Sequence, residues 1–282
     1  MASKDGRRMT TSTLDSFRLA DRTAIVTGGA GLLGAEFSKT LAAAGASVAV
    51  LDIERDRAEA VAAEIRKLGG KAQAVAADVT SKDSLERAVA LTQENLGGVD
   101  ILVNSAAKDP KFDPSHRQTA SNAFEDFPLQ AWEEAVRVNL TGAFLMTQAV
   151  VPGMLERGAG TVINICSTYG LVGPDQKIYQ REGQPTRFKP VYYSVTKAGI
   201  LGFTRYLAAY YAGKGIRVNA LTPGGVFQGH DPEFVARYSA RTLLGRMAEP
   251  NEMNAALLFL ASDASSYMTG SNLVVDGGWT AW

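Results

Sequence analysis

The sequence predicts a single-domain α/β protein with a doubly wound parallel sheet of about seven strands and helices on both faces. Short apolar runs alternate along the chain with longer segments of helical periodicity. This alternation is typical of strands joined by right-handed helical crossovers. The 282 residues contain no internal repeat, low-complexity tract or linker-like stretch, so we expect one domain over residues 19–282.

The first half of the domain is predicted as four strands separated by three helices. The strands are short apolar runs at 23–27, 47–51, 72–76 and 101–103. The helices are expected at 31–44, 54–68 and 80–96. In the first of them Leu33, Phe37 and Leu41 recur at intervals of four and form one apolar face. Thr80 and Asp83 have the spacing of a capping box at the start of the third helix.

The second half continues with strands at 161–166, 216–221 and 272–275 and with helices at 129–156 and 191–212. Pro152 is the residue expected to break the first of these helices. Segments 108–128 and 173–190 lack periodicity and follow strands at their carboxyl ends, where open α/β sheets bind ligands. We expect both to be insertions beside a substrate site, and residues 1–18 to form a flexible tail.

Composition argues against several function classes. The 29 basic and 29 acidic residues give zero net charge, so no nucleic-acid partner is expected. The one cysteine, Cys166, rules out an intrachain disulfide, and no Cys/His spacing predicts a metal site. We identify no apolar run of the roughly 18–20 residues that span a bilayer, and residues 1–18 lack a signal-peptide core. A cytoplasmic protein without a membrane partner is expected.

A glycine-rich turn separates the first strand from the first helix. Gly28, Gly31 and Gly34 lie three residues apart in this turn. A tight turn and a close backbone approach to a pyrophosphate both need residues without a Cβ, and the helix N-terminus offers N–H groups to the anion. The turn therefore predicts a dinucleotide cofactor.

The end of the second strand indicates which dinucleotide binds. Asp52 is placed to accept hydrogen bonds from an adenine ribose and to repel a 2′-phosphate. Ile53 follows it, so we expect NAD, although Arg55 and Arg57 lie close enough to favour NADP. Asp52 could also cap the next helix, which is compatible with the binding role.

Tyr193 and Lys197 are four residues apart in a predicted helix and so share one face. A cation beside a phenol favours the phenolate and lowers a tyrosine pKa from its usual value of about 10. Such a phenol can give a proton to a carbonyl oxygen or take one from an alcohol. Alone, such a pair is more often a solvated or packed surface, so its meaning depends on the other motifs.

With those motifs the chain resembles the short-chain dehydrogenase/reductase family of classical length, over about residues 20–282. The motifs, in chain order, are Gly28…Gly31…Gly34, Asp78-Val79, Asn104-Ser105-Ala106-Ala107, Asn139, Ser167, Tyr193…Lys197, Pro223-Gly224-Gly225 and Val275-Asp276-Gly277-Gly278. The resemblance implies a Rossmann fold, a small-molecule substrate and a homotetramer, with a dimer as the smaller alternative.

The resemblance also implies a role for each residue. Tyr193 would be the general acid/base, and Lys197 would lower its pKa and bind the nicotinamide ribose. Ser167 would donate to the substrate oxygen, and Asn139 would hold a water that connects Lys197 to solvent. The residues expected along the cofactor are Gly28, Gly31, Leu32, Leu33, Gly34, Asp52, Ile53, Asp78, Val79, Asn104, Ala106, Tyr193, Lys197, Pro223, Gly224 and Val226.

The chain departs from the family pattern at several places. The glycine spacing at 28–34 resembles the extended branch of the family, whereas the length and the C-terminal motifs resemble the classical branch. Ser105 and Ala107 replace an asparagine and a glycine. Phe227 and Gln228 stand where a threonine often contacts the carboxamide.

The largest departure is the insertion at 173–190, which separates Ser167 from Tyr193 by 26 residues (193 minus 167). It carries four basic residues: Lys177, Arg181, Arg187 and Lys189. These predict a pocket wall for an anionic, polyhydroxylated substrate, with a solvated loop against a neighbouring subunit as the alternative. With its flanking and C-terminal motifs, the insertion resembles the flagellin-modification and nonulosonic-acid oxidoreductases.

The leading hypothesis is therefore an NAD-dependent oxidoreductase that transfers a hydride between nicotinamide and a secondary alcohol or carbonyl of a sugar-derived substrate. A gluconate-type hexonate or polyol dehydrogenase, a sugar-nucleotide epimerase or dehydratase, and a non-catalytic NAD-binding sensor are the alternatives. The Ser167, Tyr193 and Lys197 set argues against a sensor, which has no need of a tuned phenol.

Overall fold

The computed structural model describes residues 12–108 and 122–282, and within them one seven-stranded parallel sheet. The strands are β1 (Thr23–Thr27), β2 (Ser47–Asp52), β3 (Lys71–Ala76), β4 (Val99–Asn104), β5 (Gly160–Ile165), β6 (Ile216–Pro223) and β7 (Asn272–Val275). The helices are α1 (Leu32–Ala43), α2 (Arg55–Lys67), α3 (Lys82–Leu96), α4 (Leu129–Val136), α5 (Gly142–Arg157), α6 (Val191–Tyr210), α7 (Pro232–Ser239) and α8 (Asn254–Ala261).

The strand order β3-β2-β1-β4-β5-β6-β7, with every neighbouring pair parallel, confirms the predicted fold class. The chain moves outward from β1 to β3 and then crosses back to β4. The crossover leaves a crevice at the carboxyl ends of β1 and β4, where such sheets bind ligands. This topology fixes the position of the candidate site.

Alternating strand residues feed two apolar cores, one on each face of the sheet. In β1, Ala24 and Val26 face the core formed with α1, α2 and α8, whereas Ile25 faces the core formed with α3, α5 and α6. All three side chains are fully buried. A strand buried on both faces is uniformly apolar, which is why these runs could be recognised in the sequence.

The predicted capping box is wrong by one residue. The Ser81 hydroxyl caps α3 and accepts a hydrogen bond from the Ser84 N–H at 3.3 Å. The Thr80 N–H and hydroxyl both donate to the Asp78 carboxylate at 2.8 Å. Thr80 therefore closes the turn before the helix.

The predicted break at Pro152 is also wrong. Pro152 lies inside α5, and the interruption is a π-helical turn at Arg137–Thr141. This wider turn carries Asn139, whose amide bonds to the backbone of Lys108. A long-range contact of this kind leaves no mark in local periodicity.

Three further elements differ from expectation. Helices α7 and α8 were not predicted, although Asp231 caps α7 by accepting from the Phe234 N–H and Pro232 occupies its first turn. The predicted tail needs correction after residue 11, because Leu14–Phe17 form a 3-10 helix. The Phe17 ring contacts that of Phe259 in α8, with 6.4 Å between centroids.

By length and composition the stretch Leu129–Arg157 could cross a membrane, contrary to the expectation that no segment of the chain could. Its apolar residues Met146, Val150 and Met154 are buried against the sheet. The stretch packs as a core helix interrupted by the π-helical turn.

Arg217 of β6 joins the sheet to the segment that follows α8. Its guanidinium donates to the carbonyl oxygens of Leu260 and Ser262 and to the Thr161 hydroxyl, at 3.0 to 3.1 Å. Burial lowers the pKa of this arginine. We expect Arg217→Met to leave these acceptors unpaired and to lower the free energy of unfolding by about 2–3 kcal/mol.

The measurement is urea unfolding, with Arg87→Met on the exposed side of α3 as control. We expect the control to change the free energy by no more than about 0.5 kcal/mol. Equal losses in the two variants would contradict the anchoring role of Arg217.

Candidate active site

A cavity of about 690 Å³ opens at the carboxyl ends of the strands. It runs from the glycine-rich turn after β1 to the first turn of α6. Most predicted site residues line it: Gly28, Gly31, Leu32, Leu33, Gly34, Asp52, Ile53, Asp78, Val79, Ala106, Ser167, Tyr193, Lys197, Pro223, Gly224 and Val226. Asn104 and Asn139 are outside its lining.

The glycine-rich turn forms a bare backbone surface at the start of α1. Gly28 has a φ of +61°, and a Cβ there would come within 2.8 Å of the Ala106 Cα. A Cβ on Gly34 would lie 2.0 Å from the Gly28 carbonyl oxygen. The Gly31 N–H donates to that same oxygen at 2.9 Å. The absence of side chains lets the turn pack closely at the start of α1, and this backbone cradle fits the pyrophosphate of a nicotinamide dinucleotide.

Asp52 holds the turn while facing the cavity. One carboxylate oxygen accepts from the Ala30 N–H at 3.0 Å and the other from the Glu54 N–H at 3.2 Å. Arg57 donates to the Ala30 carbonyl oxygen at 2.9 Å and pairs with Glu54 at 3.2 Å. The acid and the arginine noted in the sequence therefore both lie at this end of the cavity, with the arginine engaged by the turn.

Asn104, predicted to lie along the cofactor, does not line the cavity, and its side chain is engaged within the protein. Its amide nitrogen donates to the Thr147 hydroxyl at 3.1 Å and to the Asn164 side chain at 2.8 Å. The amide is thus part of a buried polar network between β4, β5 and α5. At the end of β4, the Ser105 and Ala106 N–H groups donate to the Thr27 hydroxyl at 3.0 and 3.1 Å, which brings the segment beside the glycine-rich turn.

Ser167, Tyr193 and Lys197 meet at the opposite end of the cavity. Ser167 follows β5, is buried, and accepts a hydrogen bond from the Tyr169 N–H at 3.3 Å. Lys197 is only 5% exposed, and its ammonium donates to the Ile165 carbonyl oxygen at 2.9 Å. It lies 5.9 Å from the centroid of the Tyr193 ring. The helical spacing thus places a cation beside the phenol.

Comparisons with known proteins identify the family of the chain. A family model described as "Enoyl-(Acyl carrier protein) reductase" matches residues 29–280. A D-threitol dehydrogenase of Mycolicibacterium smegmatis is 36% identical over 269 residues, 94% of this chain and 95% of that protein. The chain belongs to the short-chain dehydrogenase/reductase family. It is an NAD(P)-dependent oxidoreductase.

Solved structures of family members superpose over nearly the whole chain. A short-chain type dehydrogenase/reductase from Mycobacterium marinum gives a TM-score of 0.83 at 34% identity, covering 96% of this chain and 100% of that one. A gluconate 5-dehydrogenase from Burkholderia cenocepacia, solved with NADP and tartrate, gives 0.84 at 31% identity, with the same coverage.

Asn139 holds two elements of this dehydrogenase/reductase together. Its side chain accepts from the Lys108 N–H at 2.6 Å and donates to the Lys108 carbonyl oxygen at 3.2 Å. It also donates to the Thr196 hydroxyl at 3.3 Å, one residue before Lys197. The side chain thus joins the exit of β4 to α6. Its expected role in holding a water stays a prediction.

An aromatic wall, which sequence reasoning missed, completes the cavity beside Tyr193. It consists of Tyr169, Tyr179, Phe234 and Tyr238. The Tyr179 hydroxyl donates to that of Tyr169 at 2.9 Å. Burial raises the pKa of Tyr169, and it raises the pKa of Tyr238 to about 12. These phenols are therefore protonated at neutral pH, and they present hydroxyls as well as ring faces.

The insertion at 173–190 forms part of this wall by docking onto α7. Arg181 pairs with Asp231 at 2.8 Å and with Glu233 at 3.5 Å. The insertion lines the cavity with Tyr179 and Lys189. Arg181 anchors the insertion to α7 and does not line the cavity, and the expected recognition of an anionic substrate by the insertion stays a prediction.

The glycine-rich cradle can be tested with two glycines of similar backbone conformation. Gly28→Ala places a methyl group against Ala106, whereas a Cβ on Gly69, at φ +85°, meets nothing within 4 Å. A methyl group at Gly28 must displace the turn or the Ala106 backbone, whereas Gly69→Ala costs about 1 kcal/mol of stability through its left-handed conformation alone. We expect Gly28→Ala to weaken NADH binding by about tenfold or more, because it displaces the turn backbone that would contact the pyrophosphate, and Gly69→Ala to leave binding unchanged.

The measurement is a fluorescence titration with NADH, alongside thermal unfolding of both variants. If Gly28→Ala and Gly69→Ala bound NADH with the same affinity, the cradle would not be the pyrophosphate site.

Proposed function

We propose that this protein is an NAD-dependent dehydrogenase/reductase that acts on a secondary alcohol or carbonyl group of a polar, sugar-derived substrate. One observation carries the proposal: Ser167, Tyr193 and Lys197 line the same cavity as the glycine-rich turn. When bound along that turn, the dinucleotide supplies the hydride acceptor or donor at its nicotinamide ring.

The chain's own residues handle the proton. As a phenolate, Tyr193 takes the proton from the alcohol oxygen; in the reverse direction, its phenol gives a proton to the carbonyl oxygen. The Lys197 ammonium, held by the Ile165 carbonyl, stabilises the phenolate form by its charge. The Ser167 hydroxyl accepts from a backbone N–H and keeps its own proton to donate to the substrate oxygen.

The wall beside Tyr193 supports a polyhydroxylated substrate. Tyr169, Tyr179 and Tyr238 combine ring faces with hydroxyls, and Gln228 and His230 line the same region. The ring faces can pack against the C–H groups of a sugar-derived substrate, and the polar atoms can bind its hydroxyls. Threitol and gluconate dehydrogenases among the relatives favour a polyol or hexonate, and the gluconate-type alternative remains compatible.

The proposal also covers the biological role, the location and the oligomeric state of the protein, which membership of the family does not determine. Resemblance of the insertion to flagellin-modification and nonulosonic-acid enzymes favours a role in surface-sugar synthesis, in the cytoplasm. Exposed aromatic residues Phe144 on α5 and Tyr206 and Tyr210 on α6 support subunit contacts through these helices. We propose a homotetramer built on them, with a dimer as the smaller alternative.

The proton-transfer role is tested with Tyr193→Phe, which removes the hydroxyl and keeps the ring. We expect kcat to fall by about 10²–10⁴-fold while NADH binding changes little. Tyr192→Phe is the matched control, because this buried neighbour packs on Phe127 with ring centroids 5.8 Å apart. The measurement is NADH formation over a panel of polyols, aldonates and sugar nucleotides.

Each alternative gives its own result in this assay. An epimerase or dehydratase would convert a sugar nucleotide without net NADH accumulation. A sensor would bind NADH while both wild type and Tyr193→Phe remained equally inert on every substrate.

The cofactor preference is tested with Asp52→Ser, which removes the charge from the end of β2. The carboxylate disfavours a 2′-phosphate and accepts from ribose hydroxyls, so we propose that NAD is preferred. We expect the ratio of kcat/KM for NAD over NADP to fall by roughly tenfold or more. Arg57, which lines the same end, is the feature that would favour NADP. A wild-type preference for NADP, or an unchanged ratio, would contradict the assignment.

A further inference from the structure

We infer that Lys189 is a specificity-determining residue that binds an anionic group, carboxylate or phosphate, on the substrate. The enzyme would then prefer a sugar acid or a sugar phosphate to the neutral polyol of the same length. This role deepens the proposed function and rests on it. Three features support this role: the position of the Lys189 ammonium, the fixed backbone of Lys189 and the charges that surround the cavity.

The ammonium of Lys189 is placed at the reacting end of the cavity. It lies 3.9 Å from the centroid of the Tyr193 ring, and both residues line the cavity. A substrate oxygen that exchanges a proton with the phenol therefore brings its neighbouring carbons beside this cation. An anionic group a few bonds from the reacting carbon would meet Lys189 without a rearrangement of the wall.

The backbone of Lys189 is fixed from within the insertion. Its N–H donates to the Gln176 side-chain oxygen at 2.8 Å, and the Gln176 amide donates back to its carbonyl oxygen at 3.4 Å. Pro190 follows immediately and precedes the first turn of α6, with a φ of −60°. A cation carried on such a fixed backbone loses less entropy when it binds a substrate anion.

Three acidic side chains of the wall, from the insertion and from the start of α7, are engaged by arginines. Asp231 and Glu233 pair with Arg181, and Asp175 lies 3.8 Å from Arg241. Of the carboxylates that line the cavity within the described residues, Asp52 is the last residue of β2 and Asp78 follows β3. Glu134 pairs with Lys108 at 2.5 Å.

Lys197 adds a second ammonium near Tyr193, and this one is buried. Two ammonium groups therefore lie near the phenol ring, an arrangement that favours a negatively charged substrate.

A competing role for Lys189 is to assist Tyr193 itself, since a cation over the ring also stabilises the phenolate. The two roles differ in kinetics. Recognition of a substrate anion changes KM for anionic substrates selectively. Assistance to the phenol changes kcat for every substrate and moves the acid limb of the pH profile.

The test compares Lys189→Met with Lys177→Met, which removes the same charge from an exposed position of the same insertion. Gluconate, glucitol and glucose 6-phosphate serve as the carboxylate, the neutral polyol and the phosphate. For Lys189→Met we expect the kcat/KM ratio of the better anionic substrate to glucitol to fall about 10- to 100-fold, through KM. Lys177→Met should keep the wild-type ratio, and Lys189→Arg should recover most of it. The better anion identifies carboxylate or phosphate as the recognised group.

A second measurement detects anion binding directly, without enzyme turnover, and uses a different variant, Lys189→Gln. With NADH present, succinate or inorganic phosphate should raise the Tm of wild type and of Lys177→Met, but not that of Lys189→Gln. A wild-type preference for glucitol, an equal loss of kcat on all substrates in Lys189→Met, or identical Tm shifts in all variants would each overturn the role of Lys189. If wild type oxidised or reduced none of these compounds, the proposed function would fail, and the Tm shifts would still decide whether Lys189 binds an anion.

Discussion

The hydrogen bond from the Lys197 ammonium to the Ile165 carbonyl oxygen is the contact on which the candidate site depends. It ties the second turn of α6 to the last residue of β5, two residues before Ser167. A buried ammonium carries a large desolvation cost unless it is hydrogen-bonded, and a hydrophobic residue there would serve packing better. The charge is understandable as part of the chemistry, because it stands beside the Tyr193 ring.

The same junction explains how a long insertion can be accommodated. The chain leaves β5, forms the wall over 173–190 and returns through Pro190 to α6. The start of α6 is held independently, by Lys197 on β5 and by the Asn139 contact to Thr196. The insertion can therefore have a different length and composition without moving the phenol. Under the proposed function, substrate choice resides in the insertion and proton transfer in the helix, a separation that suits a fold hosting many functions.

Much of the fold could be predicted because its strands are buried on both faces. A run such as that of β1 is apolar at its three central residues and bounded by turn residues, so its ends are visible in the sequence. The π-helical turn at Arg137–Thr141 could not be predicted, because it is accompanied by a contact from Asn139 to Lys108, 31 residues away (139 minus 108). Helix α8 was missed because its sequence is apolar almost throughout and shows no clear face.

The residues of the candidate site also divide into those that a local sequence pattern predicts and those that depend on distant contacts. Gly28 and Gly34 were recognisable because a backbone without a Cβ is a local requirement, and Tyr193 and Lys197 because helical spacing is local. The wall depends on partners distant in sequence. Arg181 and Lys189 look alike in the sequence, yet the carboxylates of Asp231 and Glu233 hold the arginine against α7, whereas the Gln176 contact and Pro190 set the lysine beside the phenol. The anchoring role of Arg181 thus depends on carboxylates that only the folded chain brings beside it.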